Sequence, residues 1–229
     1  MEAAVTLSSA YDAESEAALA KWSLREDTGS VQPAPFHPTR LSITTGNYLP
    51  AAAPTTTLLK RLADCVGDDP LADVAAPECL HATFLAVSSP IYDAGSDVPP
   101  LIGLREVFHA HCQGETMRLH DLRLVALPNA LILAGEPDGD TLQRRTDFAR
   151  ALLASPWGAT LQERYAGRSI PPLFWHSTLV RYHALLLPER LRRFFASERG
   201  NRYGNTSVPI RLMLSNYNWK IARCLGGDA

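Results

Sequence analysis

The fold of this chain is decided by two stretches of sequence, Leu80-His81-Ala82-Thr83-Phe84-Leu85-Ala86-Val87 and Phe174-Trp175-His176-Ser177-Thr178-Leu179-Val180-Arg181-Tyr182. Each contains His, any residue, Thr and then an apolar residue, within a run that is typical of a buried β-strand. Side chains two residues apart on a strand point to the same face, so each stretch presents one imidazole beside one hydroxyl. Two such pairs around one cleft would supply an acid, a base and two neutral hydrogen-bond donors.

The segments before these stretches predict a similar order of elements in each half of the chain. In the first half, the patterns predict a strand at 40–44 and a helix at 54–66. In the second half, they predict paired strands at 116–125 and 130–133, then a helix that Asp140 caps and that runs to residue 153. The sequence therefore predicts a duplicated α+β unit whose two halves fold face to face.

The remaining segments complete this prediction. We expect a helix at 12–24, an irregular proline-containing connector at 29–38 and a loop-rich segment at 88–114. After the second stretch, Pro188 is predicted at the first position of a helix, and strands are expected at 208–214 and 217–224. Residues 1–38 are thus interpreted as an N-terminal extension or lid, and residues 39–229 as one two-lobed domain.

Composition limits the class of protein. The chain has 229 residues, 46% of them apolar, which is enough for one domain with an ordinary core. Residues 1–100 carry 5 basic and 13 acidic side chains, whereas the rest carry 17 and 11, so the excess of Arg lies in the second part. The four cysteines lack CxxC spacing and no apolar run reaches the length of a membrane span. We expect a soluble, cytoplasmic monomer with free thiols and no membrane contact.

The His-x-Thr pattern alone is a weak signal. Seven histidines give about one match by chance, and a third match does occur, at His37-Pro38-Thr39. Pro38 cannot donate a hydrogen bond in a sheet, and its surroundings are rich in proline, so this copy is interpreted as a loop. The other two copies are stronger evidence for a functional site, because both lie in clearly predicted strands at equivalent places in the two halves.

On these two motifs, the opening strand at 40–43 and the order of elements between them, the chain resembles the 2H phosphoesterase superfamily over residues 39–224. The resemblance implies two lobes around a central cleft, each lobe an antiparallel sheet with helices packed outside. It implies that His81 and His176 are the acid and base, and that Thr83 and Thr178 hold the phosphate oxygens. It further implies a small nucleotide or a short RNA end as substrate, and no cofactor or metal.

The chemistry of a nucleoside 2′,3′-cyclic phosphate fits this residue set. Water must lose a proton as it attacks phosphorus, and the leaving ribose oxygen must gain one, so a neutral and a charged imidazole suffice. Histidine has both forms accessible near neutral pH. Three further side chains are candidate substrate contacts. Tyr182 shares the strand parity of the second motif, Trp219 can stack on a base, and Arg105 can reach the phosphate from its loop; Arg181 has the opposite parity and is expected on the other face.

Two other classes of function remain open from the residues. One is a metallohydrolase that uses His109, His111, Cys112 and His120, since His-x-His on a strand places two ligands on one face. The other is a nucleotide- or RNA-binding module that keeps the cleft but does not catalyse a reaction.

Overall fold

The computed structural model describes residues 6–34, 36–95 and 98–226. Parts of the predictions for 1–38 and 88–114 therefore lie outside the described residues, at 1–5, 35 and 96–97. The helices and strands are, in chain order, α1 (Leu7–Ser23), β1 (Arg40–Tyr48), α2 (Ala53–Val66), β2 (Ala72–Val74), β3 (His81–Ala86), β4 (Tyr92–Asp93), α3 (Leu104–His111), β5 (Thr116–Leu127), β6 (Ala130–Pro137), α4 (Gly139–Leu153), α5 (Gly158–Arg164), β7 (His176–Tyr182), α6 (Glu189–Glu198), β8 (Thr206–Pro209), β9 (Arg211–Ser215) and β10 (Ala222–Cys224).

The strands form two five-stranded antiparallel sheets, one in each lobe. The first has the order β10-β9-β1-β3, with β4 paired to the start of β1, and the second has the order β2-β7-β6-β5-β8. Strands β3 and β7 carry the two His-x-Thr motifs, one in each sheet. The backbone N–H of His81 donates to Ser177 Oγ at 3.3 Å, which joins the two motif strands across the lobes. The predicted duplicated two-lobed α+β fold is confirmed.

Segments 122–126 of β5 and 130–135 of β6 are buried on both faces. On one face their alternate side chains join the main core that the two lobes share. On the other face, Val125, Ile132 and Ala134 pack with Tyr11 of α1 in a small separate cluster. A strand pair covered on both faces needs apolar residues at nearly every position, which explains the apolar runs in this hairpin. The Tyr11 hydroxyl donates to Gly135 O at 2.9 Å and accepts the N–H of Trp175 at 3.0 Å.

Helix α1 lies on the face of the second sheet that carries the second motif. His176 pairs directly with Ala134, and Thr178 pairs with Ile132. Directly paired residues on neighbouring strands project from the same face of a sheet. Because Ala134 and Ile132 pack with Tyr11, α1 borders the site where His176 and Thr178 project.

A β-bulge follows each motif at the equivalent position. In β3, Phe84, which follows Thr83, has no partner in β1. In β7, Leu179, which follows Thr178, has no partner in β6. An extra residue of this kind reverses the alternation of side chains beyond it. Arg181 therefore projects from the same face as the second motif.

The rest of the N-terminal segment follows the outside of the second lobe. The indole N–H of Trp22 donates to Pro128 O, and the Arg192 guanidinium donates to the carbonyls of Trp22, Arg25 and Asp27. These contacts hold the segment after α1 against α6. From it, Phe36 reaches the cleft between the lobes.

Several element boundaries differ from the sequence prediction. Segment 88–114 contains helix α3, because Leu104 and Phe108 form one buried stripe. The cap of α4 is Asp138, whose carboxylate accepts the N–H of Thr141 at 2.8 Å, rather than Asp140. Pro188 precedes α6 as its cap. The strand expected at 208–214 is two strands, β8 and β9, and only 222–224 of the last expected strand pairs as β10.

Helix α5 and strand β2 have no counterpart in the sequence prediction. They have 7 and 3 residues respectively, too few for a periodic pattern to identify them. Within the described ranges, no helix combines the length and the apolar character that crossing a bilayer requires.

Gly46 allows β1 to pass close to the first motif, which leads to a stability prediction. Its φ is +154°, and a Cβ atom there would lie 2.3 Å from Ala82 O and 3.0 Å from the Cα of Thr83. Gly46→Ala must therefore displace a backbone, at a cost of about 2–4 kcal/mol in the free energy of unfolding. Urea denaturation measures this loss. Gly139→Ala is the matched control, since a Cβ at Gly139 meets nothing within 4 Å; equal stability of the two variants would contradict the close approach.

Candidate active site

One cavity of about 280 Å³ lies between the two sheets and contains both motifs. His81 and Thr83 line it from β3, and His176 and Thr178 line it from β7. Four arginines also line it, whereas none of its described lining residues is Asp, Glu or Lys. The structure thus brings the four motif side chains of the prediction to one cationic cavity.

The ring of His81 is held on two sides. Its Nδ1 lies 2.8 Å from Cys79 O. Since a carbonyl only accepts, this bond assigns the proton of the neutral ring to Nδ1 and leaves Nε2 available to the cavity. The indole of Trp219 stacks on the ring, with centroids 4.7 Å apart and planes 12° apart. The sheet, the carbonyl and the indole together fix the orientation of this imidazole.

The ring of His176 faces the cavity from the other sheet and is exposed. No hydrogen bond to this ring occurs among the described residues. Enclosure by the cavity walls lowers its pKa, and the nearby positive charges of Arg181 and Arg145 lower it further. Water in the open cavity limits the lowering of the His176 pKa. An anionic ligand that displaces this water raises the pKa again, whereas a cationic ligand lowers it further.

The pKa of His81 is also lowered. Burial is the largest cause, the bond to Cys79 opposes it, and the charges of Arg181 and His176 add to it. The effect of His176 on His81 is consistent with the two imidazoles lining one cavity. Both rings are therefore mainly neutral in the free protein at neutral pH, and an anion between them would favour their protonation.

Arg181 contacts the second motif, contrary to the prediction from strand parity. Its guanidinium donates to Thr178 Oγ1 at 3.0 Å and lies over the rings of Phe36 and Tyr217, at 5.5 and 5.3 Å from their centroids. The bulge at Leu179 reverses the alternation and brings Arg181 into the cavity. Strand parity predicts the wrong face for Arg181 because the apolar sequence gives no sign of the bulge.

Tyr182 is displaced from the cavity by the same bulge. It is buried, and its hydroxyl donates to Asp69 Oδ2 at 3.0 Å. The prediction that Tyr182 faces the cleft is therefore wrong. Arg105 also lies elsewhere, since it is on α3 and its guanidinium donates to Leu225 O at 3.1 Å. The prediction that Arg105 reaches the phosphate from a loop is corrected as well.

Aromatic side chains form one wall of the cavity. Trp219 lines it as expected, although it is buried and stacks on His81 rather than standing free. Phe36 and Tyr217 stack on each other, with centroids 5.4 Å apart and planes 18° apart. The Tyr217 hydroxyl donates to Asp73 Oδ2 at 2.8 Å, and burial followed by this bond raises the pKa of Tyr217 to about 12. Sequence reasoning missed Phe36 because it lies in an irregular connector.

Arg145 is a buried cation at the cavity wall. Only 2% of its surface is exposed, and it donates to the carbonyls of Pro172, Leu173 and Phe174, the segment that leads into β7. Its guanidinium stacks at 3.4 Å on the centroid of Trp175. Burial lowers the pKa of Arg145 to about 9, which leaves it charged at neutral pH. Arg145 both supports the strand of His176 and adds positive charge to the cavity.

The metallohydrolase alternative loses its geometric basis. His109 and His111 lie on helix α3 rather than on a strand, and residues two apart on a helix point in different directions. Cys112 is buried behind them, where burial strongly raises the pKa of its thiol. Among the described residues, no three His, Cys, Asp or Glu side chains lie close enough to share a metal ion.

Comparison with known proteins gives structural neighbours only. No protein-family model matches the chain, and the curated proteins contain no match to its sequence. The fold is similar to that of TT0787 of Thermus thermophilus, with a TM-score of 0.53 and 15% identity over 81% of this chain and 95% of that one.

Two further solved structures match with a TM-score of 0.44. One is described as a phosphoesterase, at 16% identity over 82% of this chain and 94% of that one. The other is Escherichia coli LigT in its apo form, at 14% identity over 82% of this chain and 93% of that one. At 15% identity, the similarity to the Thermus protein shows a shared fold alone.

Proposed function

We propose that the protein is a phosphoesterase, and more specifically a metal-independent phosphodiesterase. Its substrate is a nucleoside 2′,3′-cyclic phosphate or a 2′-5′ linked oligonucleotide, and His81 and His176 are the acid and base. One observation carries the proposal: two imidazoles from different sheets line one cavity whose described walls hold four arginines and no carboxylate. Such a cavity favours an anion and can move protons on two sides of it.

The reaction needs one neutral and one protonated imidazole. The neutral ring takes a proton from water as its oxygen bonds to phosphorus, and the protonated ring gives its proton to the leaving ribose oxygen. One water is consumed and a phosphomonoester is formed. The Nδ1 bond of His81 to Cys79 O suits either role, because Nε2 stays free for the transferred proton. The direction of the reaction decides which ring starts as the base.

Three other side chains would stabilise the transition state. Thr83 and Thr178 can donate hydroxyl hydrogen bonds to the non-bridging oxygens, on which charge accumulates. Arg181 already donates to Thr178 Oγ1 and so lies beside the proposed phosphate position. Its fixed positive charge is oriented by stacking on Phe36 and Tyr217 before substrate binds. Preorganised donors of this kind need no rearrangement during the reaction.

The surroundings of the cavity support a small substrate. Its volume of about 280 Å³ is just below the usual range for ligand sites. Helix α1 covers the neighbouring part of the same sheet face, with Tyr11 over Ile132 and Ala134. A long oligonucleotide cannot follow that face, so we infer that only a nucleotide or a short RNA end enters the cavity.

The proposal is tested with purified full-length protein in the presence of EDTA. Adenosine 2′,3′-cyclic phosphate and short 2′-5′ oligoadenylates are the substrates, and the products are separated by chromatography. Release of a nucleoside phosphomonoester from either substrate supports the proposal. Tight binding of the same compounds without any product would instead support the nucleotide-binding module.

The pH dependence of the reaction is a further prediction. Because both histidines have a lowered pKa in the free protein, the singly protonated pair is most abundant below the usual value of 6.5. We expect kcat/KM to reach its maximum below pH 6.5 and to fall as the pH rises. A bound phosphate anion favours the imidazolium, so the maximum of kcat lies at higher pH. Initial rates from about pH 4 to about pH 9 check this, and a kcat/KM that rises through neutrality contradicts it.

A further inference from the structure

Two of the four cavity arginines have no role in the proposed reaction. Arg181 contacts the second motif and Arg145 holds the segment before β7. Arg164 is the last residue of α5, and Arg168 follows shortly after Tyr165. Both arginines line the same cavity.

Most arginines outside the cavity are paired with a carboxylate. The eleven ion pairs of the described residues all have arginine as the cation, yet none of them involves a cavity arginine. The Nε of Arg164 is buried and has no hydrogen-bond partner. The Nε atoms of Arg144, Arg145 and Arg190 are also buried without a partner. Of these four arginines, only Arg145 and Arg164 line the cavity, where a ligand can supply an acceptor.

The four cavity arginines come from different elements. Arg181 is on β7 beside the second motif and Arg145 is on α4. Arg164 ends α5, and its guanidinium lies 5.8 Å from the centroid of the Tyr165 ring. Tyr165 itself is buried and lines the cavity. Arg164 and Arg168 therefore bring a further pair of cations to the same cavity, from a segment separate from the two motif strands.

We propose that Arg164 and Arg168, beside Tyr165, bind a second phosphate group of the substrate. This inference rests on the proposed function, because the first phosphate is the one placed between His81 and His176. The cavity is too small for two separate nucleotides, so both groups belong to one molecule. The substrate class is then a nucleotide that carries a 5′-phosphate in addition to its 2′,3′-cyclic phosphate, rather than the bare nucleoside cyclic phosphate.

Calorimetric titration of the full chain tests this with adenosine 2′-monophosphate and adenosine 2′,5′-bisphosphate. Charged hydrogen bonds from arginine to phosphate predict about 10- to 100-fold tighter binding of the bisphosphate. We expect the double variant Arg164→Met, Arg168→Met to bring that ratio close to one. Arg193→Met removes one positive charge from the exposed face of α6 and should keep the ratio, which controls for general attraction between an anion and the protein.

The outcomes separate the second phosphate site from the proposed reaction. Equal affinity of the native protein for both compounds overturns the inference, as does a preference that survives the double variant. Inorganic phosphate that binds equally well beside the 2′-monophosphate would also overturn it, since the position would then hold a free anion. A preference for the bisphosphate without hydrolysis of 5′-phosphorylated cyclic nucleotide rejects the proposed function alone. Hydrolysis that is indifferent to the 5′-phosphate rejects this inference alone.

Discussion

Replacing either His81 or His176 with alanine is expected to slow hydrolysis of the cyclic phosphate by about 10²- to 10⁴-fold. Each ring would move one of the two protons, so neither can replace the other. Because the two rings act in one step, the double variant should be little slower than the slower single variant. Steady-state kinetics on purified, folded variants measure both effects. His109→Ala is the matched control, since this exposed histidine lies on α3, outside the cavity.

A stability measurement separates catalysis from folding in these variants. His176 makes no hydrogen bond through its ring among the described residues, so His176→Ala should keep the native unfolding transition. His81→Ala loses the bond to Cys79 O and the stack on Trp219 and is expected to be less stable. Native activity in His176→Ala would refute the proposed mechanism, because no other described titratable base comes from β7 into the cavity.

Arg181→Met is expected to lower kcat/KM by about 10²- to 10³-fold, the usual effect of removing one preorganised donor to a developing negative charge. The loss should exceed that from Arg181→Lys, which keeps the charge but not the planar group that donates to Thr178 and stacks on two rings. Comparing kcat with KM shows whether the transition state or the bound substrate is affected.

One result would contradict the proposed role of Arg181 in the transition state. If Arg181→Met and Arg181→Lys both keep native kcat/KM while unfolding normally, this guanidinium only supports Phe36 and Tyr217. The phosphate would then lie away from Thr178. That result would call into question the proposed role of the two histidines in the reaction, but not the fold.

Much of the fold is predictable because strong apolar periodicity defines its long elements. The helix expected at 54–66 is α2, and the two motif strands are β3 and β7. The equivalence of the two motifs correctly placed both imidazoles at one cavity. Short elements were missed, since α5 and β2 bury few side chains and depend on the surrounding structure.

The candidate site was only partly predictable because strand parity assumes an uninterrupted strand. One unpaired residue, Leu179, brings Arg181 into the cavity and turns Tyr182 toward Asp69. Phe36 and Arg164 are brought to the cavity by long-range packing of segments that lie outside both motifs in the sequence. A bulge becomes visible only in the pairing register, which a single sequence does not contain.

The central claim is that one phosphate group lies between the two imidazoles, and a crystal structure with a nucleoside 2′-monophosphate bound tests it most directly. We expect phosphate oxygens within about 3 Å of a nitrogen of His81 and of a nitrogen of His176. The remaining oxygens should accept from Thr83, Thr178 or Arg181. A phosphate that contacts only one of the two rings, or that binds outside this cavity, would contradict the account.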